Sequence, residues 1–590
     1  MMTKHRVRAR VVFFCLVILV FISLPQPARA DDRELVESFW KNDYGNITLP
    51  SDPSVFSWEL LAKAKPDECF YGIGDSRNDF VYPGDLSSCP APGQPKVNQA
   101  YVWGMVKSGD HIWFGTVANT LCQVLDSFAG LGIEIPPTKD WVCEGGGKDS
   151  RPPRIFVYNT KSKQLFDMTS TVLDYSADDR ERLEKTTGLR SAGAFGNVVF
   201  LGGIAGFFGE KGVNIFAFKA DTMEYLGSEN HPELSNIRQW QVINKQLYVG
   251  VGVPGATLPD GRKLSTGQIW RWIGSADKPF LFQTVGVLGA DPAYIAEHKG
   301  RMFVSTWGAP RSFEGATLYM SPLFGSDQRL GPEDSGGWTI VWNIHNNYEV
   351  ERAAFYYGGA LASYGAYLYW GTMTIPGAGL MLFPLEHPSC KLDTVGTITA
   401  FLATYRPIHI FRGKDFGKKN QRIELLYGSP KLPKLNDSTC KWEIVPNAAG
   451  QVPRFGLAGM NNFFNNYTWW MQRYHGRLFV GTMDFLYVAG SFLDAFGVTI
   501  PEEIKNFAHH FSGADLHSFV SLDLPALPVS LNGMGNYLNY GIRTMVADDF
   551  LYLGTANPMN LVTEPGQPQG GWELYELRIE DDVYDPGVTE

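Results

Sequence analysis

Histidine and cysteine are scarce in this 590-residue chain, at 11 and 7 residues. The motifs that would mark an enzyme are missing. No Gly-x-Ser-x-Gly elbow, His-Glu-x-x-His pair, phosphate loop or dinucleotide fingerprint stands in a suitable context. No Cys-x-x-Cys or Cys/His spacing offers a zinc site, so neither metal nor cofactor is expected. His509-His510 is the only adjacent histidine pair, and on a strand two neighbours face opposite ways and chelate poorly. Positive charge is also in deficit, with 51 Lys and Arg against 61 Asp and Glu, a net charge of −10. That balance argues against a nucleic-acid partner or an anionic membrane face.

Long apolar runs are confined to the N-terminus. Lys4, Arg6, Arg8 and Arg10 precede an apolar core from Val11 to Leu24, and Ala28-Arg29-Ala30 fits a small-x-small cleavage site. Residues 1–30 are therefore expected to be a signal peptide, and 31–590 a single exported domain, secreted or periplasmic, with no membrane span after cleavage. Cleavage removes five basic residues and no acid, leaving 46 against 61 and a net charge of −15. Six cysteines remain: Cys69, Cys89, Cys122, Cys143, Cys390 and Cys440. An even count in an exported chain suggests disulfides. Of the fifteen pairings that six cysteines allow, the pairing of sequence neighbours (69–89, 122–143, 390–440) is favoured. Asn46, Asn436 and Asn466 begin Asn-x-Ser/Thr sequons.

What the chain has in quantity is a repeat. His111-Ile112-Trp113-Phe114-Gly115-Thr116 returns around Gly202, Gly250, Ser305, Gly371, Gly481 and Gly554. Its aromatic and branched residues favour a strand, and its glycine is expected to end that strand where the backbone turns closely. A second strand-like element follows most copies, at Ile155-Phe156, Ile215-Phe216, Gly267 to Trp270, Gly315 to Tyr319, Gly379 to Phe383, Gly513 to Leu516 and Gly571 to Tyr575. One such unit cannot bury its own faces, but a ring of them can. The copies lie roughly 50 to 110 residues apart, which leaves room for insertions. Thr397–Ala403 is expected to be one more strand segment of the longest unit, Ser176–Thr187 an exposed turn or short helix, and Pro501–Phe507 the start of a helix.

The expected fold is all-β: a seven-bladed β-propeller of four-stranded antiparallel blades, its ring closed by N-terminal strands such as Phe56–Leu61. The repeats resemble those of secreted bacterial seven-bladed propellers, particularly the two-component-regulator type. That resemblance implies the fold and no particular activity.

In a propeller the loops leading into the inner strands converge at one end of the channel, and a binding site is expected there. Leu189-Arg190, Ile237-Arg238 and Ile542-Arg543 place an arginine after an aliphatic residue in three different units. With Asn98, Tyr294, Asn466, Trp470 and Asn539 they form the candidate ligand-binding set. Converging guanidiniums suit an anionic small molecule or saccharide. The rival reading pairs these arginines with backbone carbonyls or with an acid such as Asp291. His409, between Arg406 and Arg412, is either a base near cations or a strand-end histidine. The leading expectation is an exported binding protein for a ligand or a protein partner. The alternative is a lyase or hydrolase acting on an acidic saccharide or related anion. A quinone-dependent dehydrogenase is disfavoured by the lack of a recurring Trp-rich motif and of adjacent cysteines.

Overall fold

The computed structural model describes residues 56–129, 138–206, 211–257, 263–307, 315–348, 355–495, 501, 506 and 508–580. The leader and Asn46 lie outside them, as does most of Pro501–Phe507. The described chain is mostly β. Its strands form consecutive four-stranded antiparallel meanders, whose first strands are labelled β1 (Gln99–Ser108), β2 (Thr186–Phe195), β3 (Asn236–Ile243), β4 (Asp291–His298), β5 (Tyr357–Tyr364), β6 (Asn465–Tyr474) and β7 (Gly541–Ala547). Each pairs with the strand that carries the repeat, as β1 does with His111–Ala118 and β7 with Leu551–Ala556. Third and fourth strands follow outward, for example Ile155–Asn159 and Gln164–Asp167. The last meander takes its fourth strand from the other end of the chain, where Phe56–Lys63 pairs antiparallel with Glu573–Ile579. Cys69 and Phe70 belong instead to a small separate sheet with Asp79–Phe80 and Gln94–Lys96. The first strands pack on one another in chain order, and β7 returns to β1.

The repeat's glycine does not end its strand. Gly115 lies inside His111–Ala118, paired with Gly104 on one side and Ile155 on the other. Its work is lateral. A methyl group on Gly481 would come within 2.8 Å of Ile542 in the following first strand, and one on Gly554 within 2.5 Å of Val102. Gly115, Gly202, Gly250 and Gly371 meet Leu189, Ile237, Pro292 and Thr468 in the same way. Each glycine is thus the socket for a side chain of the next meander, which is packing that any Cβ would obstruct.

The threonine after the glycine is a clasp. The hydroxyls of Thr116, Thr372, Thr482 and Thr555 accept the backbone N–H of Arg154 (2.8 Å), His409 (2.9 Å), Asp515 (3.0 Å) and Glu573 (2.9 Å), where the third strand begins. These buried N–H groups stand at or just beyond the end of the sheet ladder and would otherwise lack an acceptor.

Among the described residues, five helices of nine residues or more are inserted: α1 (Thr120–Ala129), α2 (Ala177–Lys185), α3 (Ala378–Glu386), α4 (Thr394–Thr404) and α5 (Leu486–Ala495). The helix α2 fulfils the expectation for Ser176–Thr187, and Ser176 caps it by accepting from the Asp179 N–H at 3.1 Å. Two expected strands are helical. Gly379–Phe383 lies in α3 and Thr397–Ala403 in α4, so the third strand of that meander is Ile410–Lys414. Apart from α2, these helices follow second strands. Leu380, Phe401 and Tyr487 from α3, α4 and α5 share one large core cluster with Tyr101, Tyr356, Trp469 and Tyr540 at the starts of first strands. Disulfides join Cys69–Cys89, Cys122–Cys143 and Cys390–Cys440, the sequence-neighbour pairing. Among the described residues no helix is long and apolar enough to cross a membrane.

Candidate functional site

Every first strand breaks register against its partner near its middle. The break falls between Val102 and Gly104 in β1, between Gly188 and Ser191 in β2, and between Ile237 and Trp240 in β3. It recurs between Pro292 and Tyr294 in β4, Gly358 and Leu361 in β5, Thr468 and Trp470 in β6, and Ile542 and Thr544 in β7. A bulge of this kind bends the strand and re-aims a side chain. Arg190, Arg238 and Arg543 all lie within these breaks. The aliphatic residue before each fills a glycine socket, and the arginine is turned out of the ladder.

The three arginines line one cavity, together with Tyr294 and Trp470 from the candidate set and Trp103, Ser191, Gln239 and Trp240. The space left to a water-sized body is about 10 Å³, room for roughly one water. Each guanidinium is backed by a ring: Arg190 over Trp103 at 5.0 Å, Arg238 over Trp307 at 4.6 Å, and Arg543 over Trp469 at 5.7 Å. Aromatic backing fixes the plane of each fork and leaves its N–H edges free. Arg190 donates to Asn236 Oδ1 at 2.8 Å, while its buried Nε has no hydrogen-bond partner. Arg543 is 4 % exposed, and its buried Nε and Nη1 also lack partners. Burial, then the facing Arg238 and Arg543, push the Arg190 guanidinium well below its ordinary value, with Asp291 and Tyr294 pulling back. Burial lowers Arg543 too, with Tyr294 opposing it and Arg238 adding to it. An arginine does not give up its proton in response, so these shifts express the cost of holding like charges together out of water.

One carboxylate stands behind the cluster. Asp291 Oδ2 accepts from Asn236 Nδ2 at 2.6 Å, so Asn236 bridges Asp291 to Arg190. Asp291 is pushed up to about 6 by burial, against the Asn236 hydrogen bond and the charges of Arg238 and Arg190.

The site does not open where the loops enter the first strands. Gln99 to Val102 and Thr186 to Leu189 are buried, whereas Trp103, Arg190 and Ala192 are partly exposed and Val106 to Ser108 remain so. The starts of the strands are filled by rings, with Tyr101 packed on Trp469 (5.7 Å) and Tyr540 (5.9 Å), and Trp307 stacked on Tyr357 (4.7 Å). Residues of α3, α4 and α5 belong to the same core cluster as these rings, and the partly exposed residues of β1 and β2 begin at the bulge.

Asn98, Asn466 and Asn539 stand apart from the cavity as buried braces. Asn98 Nδ2 donates to Asp67 and Glu68, both at 2.9 Å; Asn466 Nδ2 donates to the Thr374 carbonyl at 3.0 Å; and Asn539 Nδ2 donates to Glu573 at 2.5 Å. His409 is fully buried and accepts from the Ser429 N–H at 2.9 Å, and burial and Arg406 lower it to about 3. It is a neutral packing residue. Trp103 and Gln239 are site residues that sequence reading missed. Val102-Trp103 does hold the same aliphatic-then-bulge position as Leu189-Arg190. Among the described residues the one group with metal-ligand spacing is Cys122, Cys143 and Asp149, and there the two sulfurs are joined to each other.

No protein-family model matches the chain, and no curated protein matches it. Among solved structures it is similar to the β-propeller domain of the Trilobed protease from Pyrococcus furiosus, at 9% identity and TM-score 0.33, covering 83% of this chain and 98% of that one. It is similar to the polysaccharide lyase Uly1 at 7% identity and TM-score 0.37, covering 91% and 100%. A prolyl endopeptidase is matched at 9% identity and TM-score 0.35 over 82% of this chain, which spans 51% of that enzyme's length.

Proposed function

We propose that the chain is an exported seven-bladed β-propeller that binds an anionic group on its axis. Cyclic packing of the first strands and the Phe56–Lys63 strand support a closed ring of blades. Three disulfides and the basic-apolar leader of residues 1–30 support export into an oxidising compartment. The observation that carries the functional reading is the convergence of Arg190, Arg238 and Arg543 on one cavity. Three guanidiniums against the single carboxylate of Asp291 leave a positive excess in a site that water barely reaches. An anion bound there would offset that excess, and donors buried without partners would gain acceptors.

Binding is preferred to the lyase or hydrolase alternative on the character of the lining. Among the described lining residues there is no carboxylate and no histidine. Tyr294 could carry a proton, but its hydroxyl donates to the Trp469 carbonyl at 2.5 Å. The test is a thermal-shift screen of the oxidised protein against sulfate, organic carboxylates and acidic saccharides. A saturable rise in melting temperature is expected, since a ligand at about 100 times its Kd adds about 2.7 kcal/mol. The rise should vanish in Arg190→Ala and Arg543→Ala. A rise that survives both substitutions would place the anion elsewhere.

A further inference from the structure

The cavity lined by the three forks holds very little. Its room for a water-sized body is about 10 Å³, enough for about one water. Hydrogen-bond donors are in surplus around that space. Arg190 Nε, Arg543 Nε and Arg543 Nη1 are buried and have no partner. Gln239 Oε1 accepts from the Ile295 N–H at 2.6 Å, while its amide N–H groups are engaged by no described residue. Much of the remaining wall is apolar, from Trp103, Met105, Trp240, Ala293 and Trp470. The one nearby carboxylate, Asp291, stands behind Asn236 and outside the lining.

We infer that this space is a halide site, taking chloride in solution, an inference that rests on the anion site proposed above. Size is the first argument. A chloride ion is only slightly larger than a water, so it fits the space as it stands. A carboxylate or a sulfate has several heavy atoms and must part the lining to enter fully. Charge is the second. A water is neutral and leaves the excess of three guanidiniums over Asp291 uncompensated, whereas a halide reduces it. Drying an ion costs more as the square of its charge, so a single charge is the cheaper one to bring into a space that water barely reaches. Shape is the third. A spherical ion has no preferred lone-pair directions, so it accepts from forks arriving from three different strands, β2, β3 and β7, at the angles they offer.

The experiment pairs bromide scattering with chlorine magnetic resonance. Crystals of the oxidised protein soaked in sodium bromide are expected to show an anomalous peak at the bromine edge among the guanidiniums of Arg190, Arg238 and Arg543. In solution the chlorine resonance of sodium chloride should broaden when the protein is added. Bromide and sulfate, competing for the same donors, should reverse that broadening. Arg190→Gln and Arg543→Gln should each weaken chloride binding by at least about tenfold, since each removes a charged donor. The bromide map uses the unaltered protein, so it decides even where a variant fails to fold. A bromide peak without chlorine broadening marks an adventitious ion only and overturns the inference. No bromide at the forks, alongside a sulfate-induced rise in melting temperature that depends on Arg543, overturns the halide and leaves the anion site standing. If neither halide nor sulfate acts there, the anion site itself is overturned.

Discussion

Gly554 and Val102 occupy one volume between them. The valine belongs to β1, and the glycine to the partner strand of β7, so this contact spans the first and last meanders. The same division recurs where Gly481 receives Ile542. At Ser305 it is reversed: the repeat carries a side chain, and the facing residue in β5 is Gly358, on which an added methyl would lie 3.1 Å from the Ser305 Cβ. One of the two partners must be small, and either may be. Gly554→Ala puts a methyl 2.5 Å from Val102 Cγ1 and is expected to cost about 1–3 kcal/mol in denaturant melts. Combined with Val102→Ala, it should recover part of that loss, with a coupling above about 0.5 kcal/mol. Simple additivity of the two substitutions would mean that the socket is not what keeps position 554 a glycine.

At the scale of the element, the clasp ties a second strand to the start of the third. Thr482 accepts from the Asp515 N–H at 3.0 Å and donates to Asn465 Oδ1 at 2.8 Å, all three residues being buried. Thr482→Val keeps the shape and removes both bonds. The expected loss is about 1–3 kcal/mol, with faster hydrogen exchange at Asp515, and an unchanged exchange rate there would dismiss the clasp. These second strands were legible in the sequence because aromatic and branched residues, a small residue and usually a threonine recur together. Leu380-Met381-Leu382-Phe383 was misread because a short apolar run without alternation suits helix and strand alike. For α4 a signal was present: Asp393 caps the helix by accepting from the Gly396 N–H at 2.7 Å. The arginine positions were legible from the aliphatic–Arg pairs, but the direction they face was not. That direction depends on bulges, and on rings that fill the other end of the strands. Asn98 and Asn539 drew notice as polar residues at strand starts, yet their partners Asp67 and Glu573 are set by tertiary packing alone.

The whole molecule has a net charge of −10, so its cationic layer sits inside an acidic body. Asp291 sets how cationic that layer is, and its elevated value of about 6 makes the layer sensitive to pH. As pH falls from about 7.5 to about 5, Asp291 gains a proton and the layer loses its compensating negative charge. Sulfate keeps its full charge throughout, so its affinity should rise, by a few-fold to about tenfold for one charge at this range in a partly screened interior. Asp291→Asn should bind sulfate tightly and with little pH dependence. Stability responds differently. A carboxyl raised in the folded state favours folding as pH drops through about 6 toward the ordinary 3.8, and Asp67, also near 6 through burial, acts in the same sense. Two buried histidines oppose them. His298, lowered to about 4, and His409, lowered to about 3, withdraw stability as pH falls below the ordinary 6.5. The melting temperature of the unaltered protein should therefore change little between about pH 4 and 6, where the two effects meet. Asp291→Asn removes one of the two opposing carboxyls. Its melting temperature relative to the unaltered protein should be highest above pH 6 and decline as pH is lowered toward 4. A difference that stays constant across that range would mean that Asp291 has the same affinity for protons in the folded and unfolded chain. The pH-dependent tightening of sulfate would then need another source.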